Sequence, residues 1–173
     1  MKNETLTQIK TRRSFRSYKP DQIKVPELNA ILEAGTYAPS GKNMQCPIIV
    51  AVQDSDTIAQ LVKMNAQVMG TDSNPYYGAP TILLVFAPEN QSTYVEDASC
   101  VLNTMMLAAH SLGLASCWIH REKQMFQTPE GKALMTKWGI DPNLKGIGAL
   151  SLGYGGIDLP SPPERKPNRI ILV

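Results

Sequence analysis

Residues 95–121 read VEDASCVLNTMMLAAHSLGLASCWIHR, and the first two thirds of this stretch decide how the chain must fold. From Val95 to Leu112 the segment has helical length and is apolar almost all round, through Val101, Leu102, Met105, Met106, Leu107 and Ala108. A helix without a wide polar face is an interior element, packed on more than one side. The Met105–Met106 pair reads as flexible core filler rather than a ligand contact. Beyond it, Gly113-Leu114-Ala115-Ser116-Cys117-Trp118-Ile119-His120-Arg121 leaves the helix on small residues, which let a flat ring approach the backbone. Trp118 serves equally well as core anchor or ligand wall. By itself His120 reads as a structural or surface histidine, and Cys117 as an inert buried thiol.

Working outward, Thr81–Ala87 and Ile147–Gly153 are apolar runs of strand length, and 47–53 (Pro-Ile-Ile-Val-Ala-Val-Gln) is a third. Asp54 to Met69 has helical spacing at Ile58, Leu61, Val62 and Met69. Pro26 opens a helix whose Leu28, Ile31, Leu32 and Gly35 share a face, and Ala38-Pro39 stops it. Residues 4–10 form a short helix running into a basic segment. Thr128-Pro129-Glu130 begins another helix that reaches Trp138 and stops at Gly139. Gly70 to Gly78 holds Asp72, Asn74, Pro75, Tyr76 and Tyr77 and reads as a loop. Residues 155–168 are rich in Pro and Gly and end on Ile170-Ile171-Leu172-Val173. Such an arm reaches out to pair with another sheet edge.

The 173 residues suit one domain with a sizeable core. Hydrophobic content of 43% and charged content of 18% exclude disorder. Seventeen Lys and Arg against fifteen Asp and Glu leave +2, too little for a broad nucleic-acid surface. Cys46, Cys100 and Cys117 make no CxxC pair, and with His110 and His120 as the only histidines no metal site is expected. An odd cysteine count, a polar start without an apolar signal core, and apolar runs too short for a bilayer lead us to expect a soluble cytoplasmic protein.

Basic residues matter locally. Arg12-Arg13-Ser14-Phe15-Arg16 near one end and Arg165-Lys166 near the other lack acidic interleaving. Arginine forks, a hydroxyl and backbone N–H groups are what bind a phosphate. Alone, each segment reads as an exposed basic turn or solvated tail. Ala38-Pro39-Ser40-Gly41-Lys42-Asn43-Met44-Gln45 is a tight turn with free N–H groups and two amides, and alone it reads as a connecting loop.

Taken in order, these elements resemble the nitroreductase family of FMN-dependent oxidoreductases, in its short-chain branch. The likeness rests on Arg-Arg-Ser-Phe-Arg (12–16), Ala-Pro-Ser-Gly-Lys-Asn-Met-Gln (38–45), Asn-Pro-Tyr-Tyr-Gly-Ala-Pro (74–80), Leu-Gly-Leu-Ala-Ser-Cys-Trp-Ile-His-Arg (112–121), Leu-Gly-Tyr-Gly (152–155) and Arg-Lys-Pro (165–167). It covers essentially the whole chain and is specific for fold and cofactor, not for substrate. It implies an α+β three-layer sandwich, a mostly antiparallel central sheet flanked by helices, with a C-terminal arm exchanged in a homodimer that holds two FMN sites at its interface. Residues 1–154 would be the FMN-binding body and 155–173 the arm, within one domain.

The resemblance also implies roles. Arg12, Arg13 and Ser14 would hold the FMN phosphate and ribityl chain, completed by Arg165 and Lys166. Arg16 would lie near flavin N1 and O2. Pro39, Ser40, Gly41 and Asn43 would come from the other subunit. Ile119 and His120 would line the ring, a backbone N–H near His120 reaching N5. The chain departs from the pattern at Cys46-Pro47, where many members have Gln-Pro-Trp, and at His120-Arg121, where other branches have a Gly-containing or acidic pair. Asn65 and Asn74 are both candidates for the amide that meets the pyrimidine edge.

The implied activity is hydride transfer from NADH or NADPH through FMN to a flat electron-poor acceptor, a nitroaromatic or a quinone. One open ring face would serve donor and acceptor in turn, which gives ping-pong kinetics. Flavin N5 carries the chemistry, so no catalytic side chain is assigned. Arg16 would tune the potential: a guanidinium about 4 Å away favours the reduced ring by up to about 4 kcal/mol at an effective dielectric near 20, very roughly 90 mV for a two-electron couple. Tyr76, Tyr77 and Trp118 could stack on the acceptor. Alternatives are a non-catalytic FMN store or redox sensor, or the same enzyme type acting on enones, halogenated phenols or free flavin. A phosphate-binding domain without flavin lacks its usual Gly-rich fingerprint here.

Overall fold

The computed structural model describes residues 3–158 and 161–173, so Met1, Lys2, Leu159 and Pro160 of the two expected ranges lie outside it. In chain order the elements are α1 (Glu4–Thr11), α2 (Val25–Thr36), β1 (Ile48–Val52), α3 (Ser55–Met69), β2 (Thr81–Ala87), α4 (Tyr94–Ser111), β3 (Ala115–Ile119), α5 (Glu122–Met125), α6 (Pro129–Lys137) and β4 (Lys145–Gly153). The strands form one antiparallel sheet in the order β1-β2-β4-β3.

Every residue of β2 is buried, because both faces of the sheet are covered. Side chains alternate along a strand. Leu83, Val85 and Ala87 therefore meet Ile31 of α2 and Val101, Leu102 and Met105 of α4 on one face. On the other, Ile82, Leu84 and Phe86 meet Leu61 and Met64 of α3, Met125 of α5 and Met135 of α6. The result is helix, sheet, helix: an α+β three-layer sandwich. Each buried Leu or Met contributes roughly 1.5–3 kcal/mol by leaving water. Met105 and Met106 are core, as their spacing implies.

Local chemistry sets the boundaries. Asp54 accepts the Thr57 N–H at 2.8 Å and starts α3, and Gly70, left-handed at φ 70°, ends it. Thr128 accepts the Gly131 N–H at 3.1 Å ahead of Pro129, starting α6. Among the described residues no helix is long and apolar enough to cross a membrane.

The sequence reading had neither the helix α5 nor the strand β3. Residues 113–121 read only as a segment leaving the helix; the structure makes Ala115–Ile119 the strand beside β4. Ala, Ser and Cys give little strand signal, and pairing with β4 supplies the order. The tail residues Ile170–Val173 form no strand within one chain and are 82–122% exposed.

Candidate functional site

The Arg12–Arg16 segment is pinned at both sides. Arg12 caps α1, its N–H bonding the Gln8 carbonyl at 3.0 Å. Ser14 bridges Ser116 of β3 in parallel, and the Phe15 N–H donates to the Ser116 carbonyl at 3.1 Å. Phe15 is buried beneath the turn. The chain then crosses to the end of β4, where Lys19 N–H donates to Tyr154 O at 3.0 Å and Tyr18 bridges Gly155. The Tyr18 hydroxyl lies 2.8 Å from Ser151 Oγ.

On this rigid turn the cations are under-paired. Arg13 Nη1 donates to the carbonyls of Lys10 and Arg12, but Arg13 Nε and Arg12 Nη1 are buried without any hydrogen-bond partner. Burial first, then the charge of Arg13, lowers the Arg12 pKa. The same burial and both arginines push His110 down; its Nε2 lies 2.8 Å from Thr11 Oγ1. Ion pairs among the described residues join Glu89 to Lys123 and Lys145, so no carboxylate meets the arginines. A guanidinium cannot shed its proton, and an unmet buried donor is costly. The donor set fits an external anion with several acceptor oxygens, such as a phosphate dianion.

Arg16 is exposed, its guanidinium carbon 5.9 Å from the Tyr77 ring centroid. Hydrogen bonding by the Tyr77 hydroxyl raises its pKa. Tyr77 is itself left-handed, at φ 58°, and partly exposed. Burial pushes the Cys117 thiol up, partly offset by Arg16, Ser14 and Arg12. Trp118 is half-buried over Gly148, where an added Cβ would meet its indole nitrogen at 2.8 Å. Tyr76, a proposed stacking residue, is fully buried in the core.

The second loop is built separately. Gly41 donates its N–H to Asp97 Oδ1 at 2.9 Å and approaches Thr93 so closely that a Cβ would clash with its hydroxyl. Ser40 Oγ accepts the Gln45 N–H at 3.0 Å, and Gln45 Nε2 donates to Asn43 Oδ1 at 2.9 Å. Lys42, Asn43 and Gln45 all have positive φ. Pro39, Ser40 and Gln45 border a cavity of about 210 Å³ together with Gly35, Ile49 and Val101. Asp97 lies in the first turn of α4 and His110, beside Arg12, in its last. At 1.5 Å per residue the two ends are roughly 20 Å apart. One chain therefore does not bring the Ser40 loop to the Arg12 turn.

At the end of β3, Ile119 is buried and His120 exposed. Beneath them is a polar cluster around Asn65, whose grouping with Glu122 sequence reading missed. Asn65 is wholly buried; its Nδ2 donates to His120 O at 3.0 Å and its Oδ1 accepts from Arg121 Nε at 2.7 Å. Glu122 is also wholly buried. Its partners are far away in sequence, so no motif announces them. Asn74 Oδ1 accepts the Tyr76 N–H at 2.9 Å, an Asx turn that leaves its amide outward. Arg165 and Lys166 are exposed in the tail, in a groove lined by Asn168, Arg169 and Ile170, and no hydrogen bond among the described residues joins them to the Arg12 turn.

Comparison with known proteins shows the family and the fold. The nitroreductase family profile covers residues 9–154. A protein of Archaeoglobus fulgidus named as a candidate NADH dehydrogenase/NAD(P)H nitroreductase is 33% identical over 159 residues, 87% of this chain and 85% of that one. A Bacteroides fragilis nitroreductase crystallised with bound FMN is 35% identical, with a TM-score of 0.91 over 99% of this chain and 100% of that one. Another, from Desulfitobacterium hafniense and also with bound FMN, is 25% identical, with a TM-score of 0.89 over the whole of both chains. The chain belongs to the nitroreductase family.

Proposed function

We propose that this protein is an FMN-dependent NAD(P)H oxidoreductase that passes hydride to a flat electron-poor acceptor, a nitroaromatic or a quinone, by a ping-pong mechanism. The observation that carries the reading is the pair of buried, partnerless donors on Arg12 and Arg13, held on a turn that the sheet makes rigid. The FMN-bound relatives support the choice of anion. When bound, FMN supplies two-electron hydride chemistry.

Arg12, Arg13 and Ser14 hold the phosphate and ribityl chain. Arg165 and Lys166 complete the phosphate site from the arm. Arg16 sits at the N1 and O2 edge and tunes the potential. Ile119 and His120 would line the ring, and a backbone N–H near His120 would serve as donor to N5. Pro39, Ser40, Gly41 and Asn43 are supplied by a second copy, which the separation along α4 favours. In a homodimer with two such sites, residues 155–173 act as the arm of the body formed by 1–154. The open edge of β1 and the exposed Ile170–Val173 support strand exchange between copies. No side-chain acid or base is needed, since solvent supplies protons. A cytoplasmic location is part of the same reading.

A visible spectrum of the purified protein before and after NADH or NADPH tests this. The expected result is a yellow dimer that bleaches with the nicotinamide donor and recolours with menadione. A colourless monomer indifferent to added FMN refutes the reading. A yellow protein that never bleaches points instead to flavin storage or sensing.

A further inference from the structure

The turn after β3 is held in a conformation that its own residues do not prefer. Arg121 has φ 87°, left-handed without being glycine. Such backbone persists only where the surroundings impose it. One side-chain amide does much of the imposing. Besides its bonds to His120 O and Arg121 Nε, Asn65 Nδ2 lies 3.4 Å from Glu122 Oε1, so it touches three consecutive residues. The Tyr76 hydroxyl donates to the same Oε1 at 3.2 Å, and Asn65 Nδ2 lies 3.3 Å from that hydroxyl. From the opposite side β4 packs backbone to backbone: a Cβ on Gly146 would come within 2.8 Å of Glu122 O. The turn is thus gripped by α3, the 70–78 loop and β4.

We propose that Asn65, Tyr76 and Glu122 form a buried brace that positions the His120–Arg121 turn, and so sets how its backbone meets the flavin ring. The second half rests on the functional reading above; the first does not. The groups that face Glu122 are Tyr76 from the loop, Arg121 from the turn itself, and neutral Asn65 and Gly146. Arg121 favours the carboxylate, but burial outweighs it, and with Oε2 partnerless the acid is best accommodated neutral. Burial pushes it up to about 8, so it keeps a proton at neutral pH and bonds as a neutral group. Glu122 and Asn65 are therefore positioning residues, acting through the turn.

The test is amide hydrogen exchange of residues 119–123 on the full chain, with and without FMN, in wild type and in Asn65→Ala, Glu122→Leu and Glu122→Gln. Asn65→Ala and Glu122→Leu are expected to speed exchange at 120–122 by on the order of ten-fold, the worth of one lost hydrogen bond, while β2 and β4 amides keep their protection. Glu122→Gln, which preserves the shape and the acceptor, is expected to be protected at least as well as wild type. Unchanged exchange in the first two variants, or acceleration spread over the whole sheet, overturns the brace. With FMN bound, Glu122→Leu is expected to change the flavin reduction equilibrium about ten-fold, roughly 30 mV for two electrons, and Glu122→Gln to restore it. An unmoved potential in Glu122→Leu overturns the link to the ring. A chain that takes up no FMN overturns that link and the functional reading together, while exchange in the FMN-free protein still decides the brace.

Discussion

The two ends of β3 solve the burial of charge in opposite ways. Beside Ser116, Arg12 and Arg13 bury donors that nothing accepts. Just past Ile119, Glu122 is buried more deeply and carries an equally partnerless oxygen. A carboxyl can neutralise itself by keeping its proton, but a guanidinium has no such exit. The acidic end can therefore shed its charge unaided, whereas the basic end keeps its charge and is suited to an anion from outside. That contrast separates a structural cluster from a binding site without reference to any motif.

Deleting residues 161–173 should break the comparison most severely. If the arm's Arg165 and Lys166 help to satisfy the same anion, the truncated chain loses both dimer and FMN, seen by light scattering and flavin absorbance. Retention of yellow colour by a truncated monomer would show that the basic turn suffices alone.

At the acidic end, the Glu122 carboxyl rises from 4.5 in the unfolded chain to about 8 in the folded one. Between these values the folded state binds the extra proton, so stability falls as pH rises through the window and levels off above about 8. The full cost is on the order of 5 kcal/mol. Glu122→Gln removes the titration and should gain on wild type by on the order of 4 kcal/mol between about pH 5 and about pH 8 in urea melts. A constant difference across that range would mean that the carboxyl is not held protonated.

The basic end should respond with two signs at once. Arg12→Met removes a partnerless buried donor, so the FMN-free protein should become more stable by about 1–3 kcal/mol. The same change should weaken FMN binding by on the order of 100-fold, through loss of a charge-assisted hydrogen bond. Calorimetry and flavin titration on one preparation check both. If Arg12→Met destabilises the FMN-free chain, the unmet donor is not what defines the site.

Arg16→Ala should give the smallest effect. Arg16 is exposed, so screening cuts the sequence-based figure sharply, to within about 1 kcal/mol, or roughly 20 mV downward in a redox titration. A fall near the unscreened value would mean that a second copy buries this guanidinium.

Most of the sheet was legible because β2 and β4 are continuous apolar runs, buried on both faces. β3 was not, since Ala115, Ser116 and Cys117 are small and take their order from β4. The basic residues of the site were visible as clusters, but their pinning was not, because Ser14 meets Ser116 through backbone groups. Asn65 and Tyr76 were singled out for other roles and Glu122 not at all; their cluster carried no signal, because its members are 11 to 57 residues apart and meet only through tertiary packing. Tyr76 and Tyr77 look alike as a pair, yet one is core and the other surface, a split that only tertiary packing decides.

The free edge of β1 has a consequence for the protomer by itself. Ile48-Ile49-Val50-Ala51-Val52 carries no charge and no proline, the devices by which exposed strands usually discourage stacking with copies of themselves. A lone subunit would thus be prone to aggregate during synthesis. If two copies assemble as proposed, prompt capture of this strand by a sister chain would serve as quality control and tie solubility to assembly.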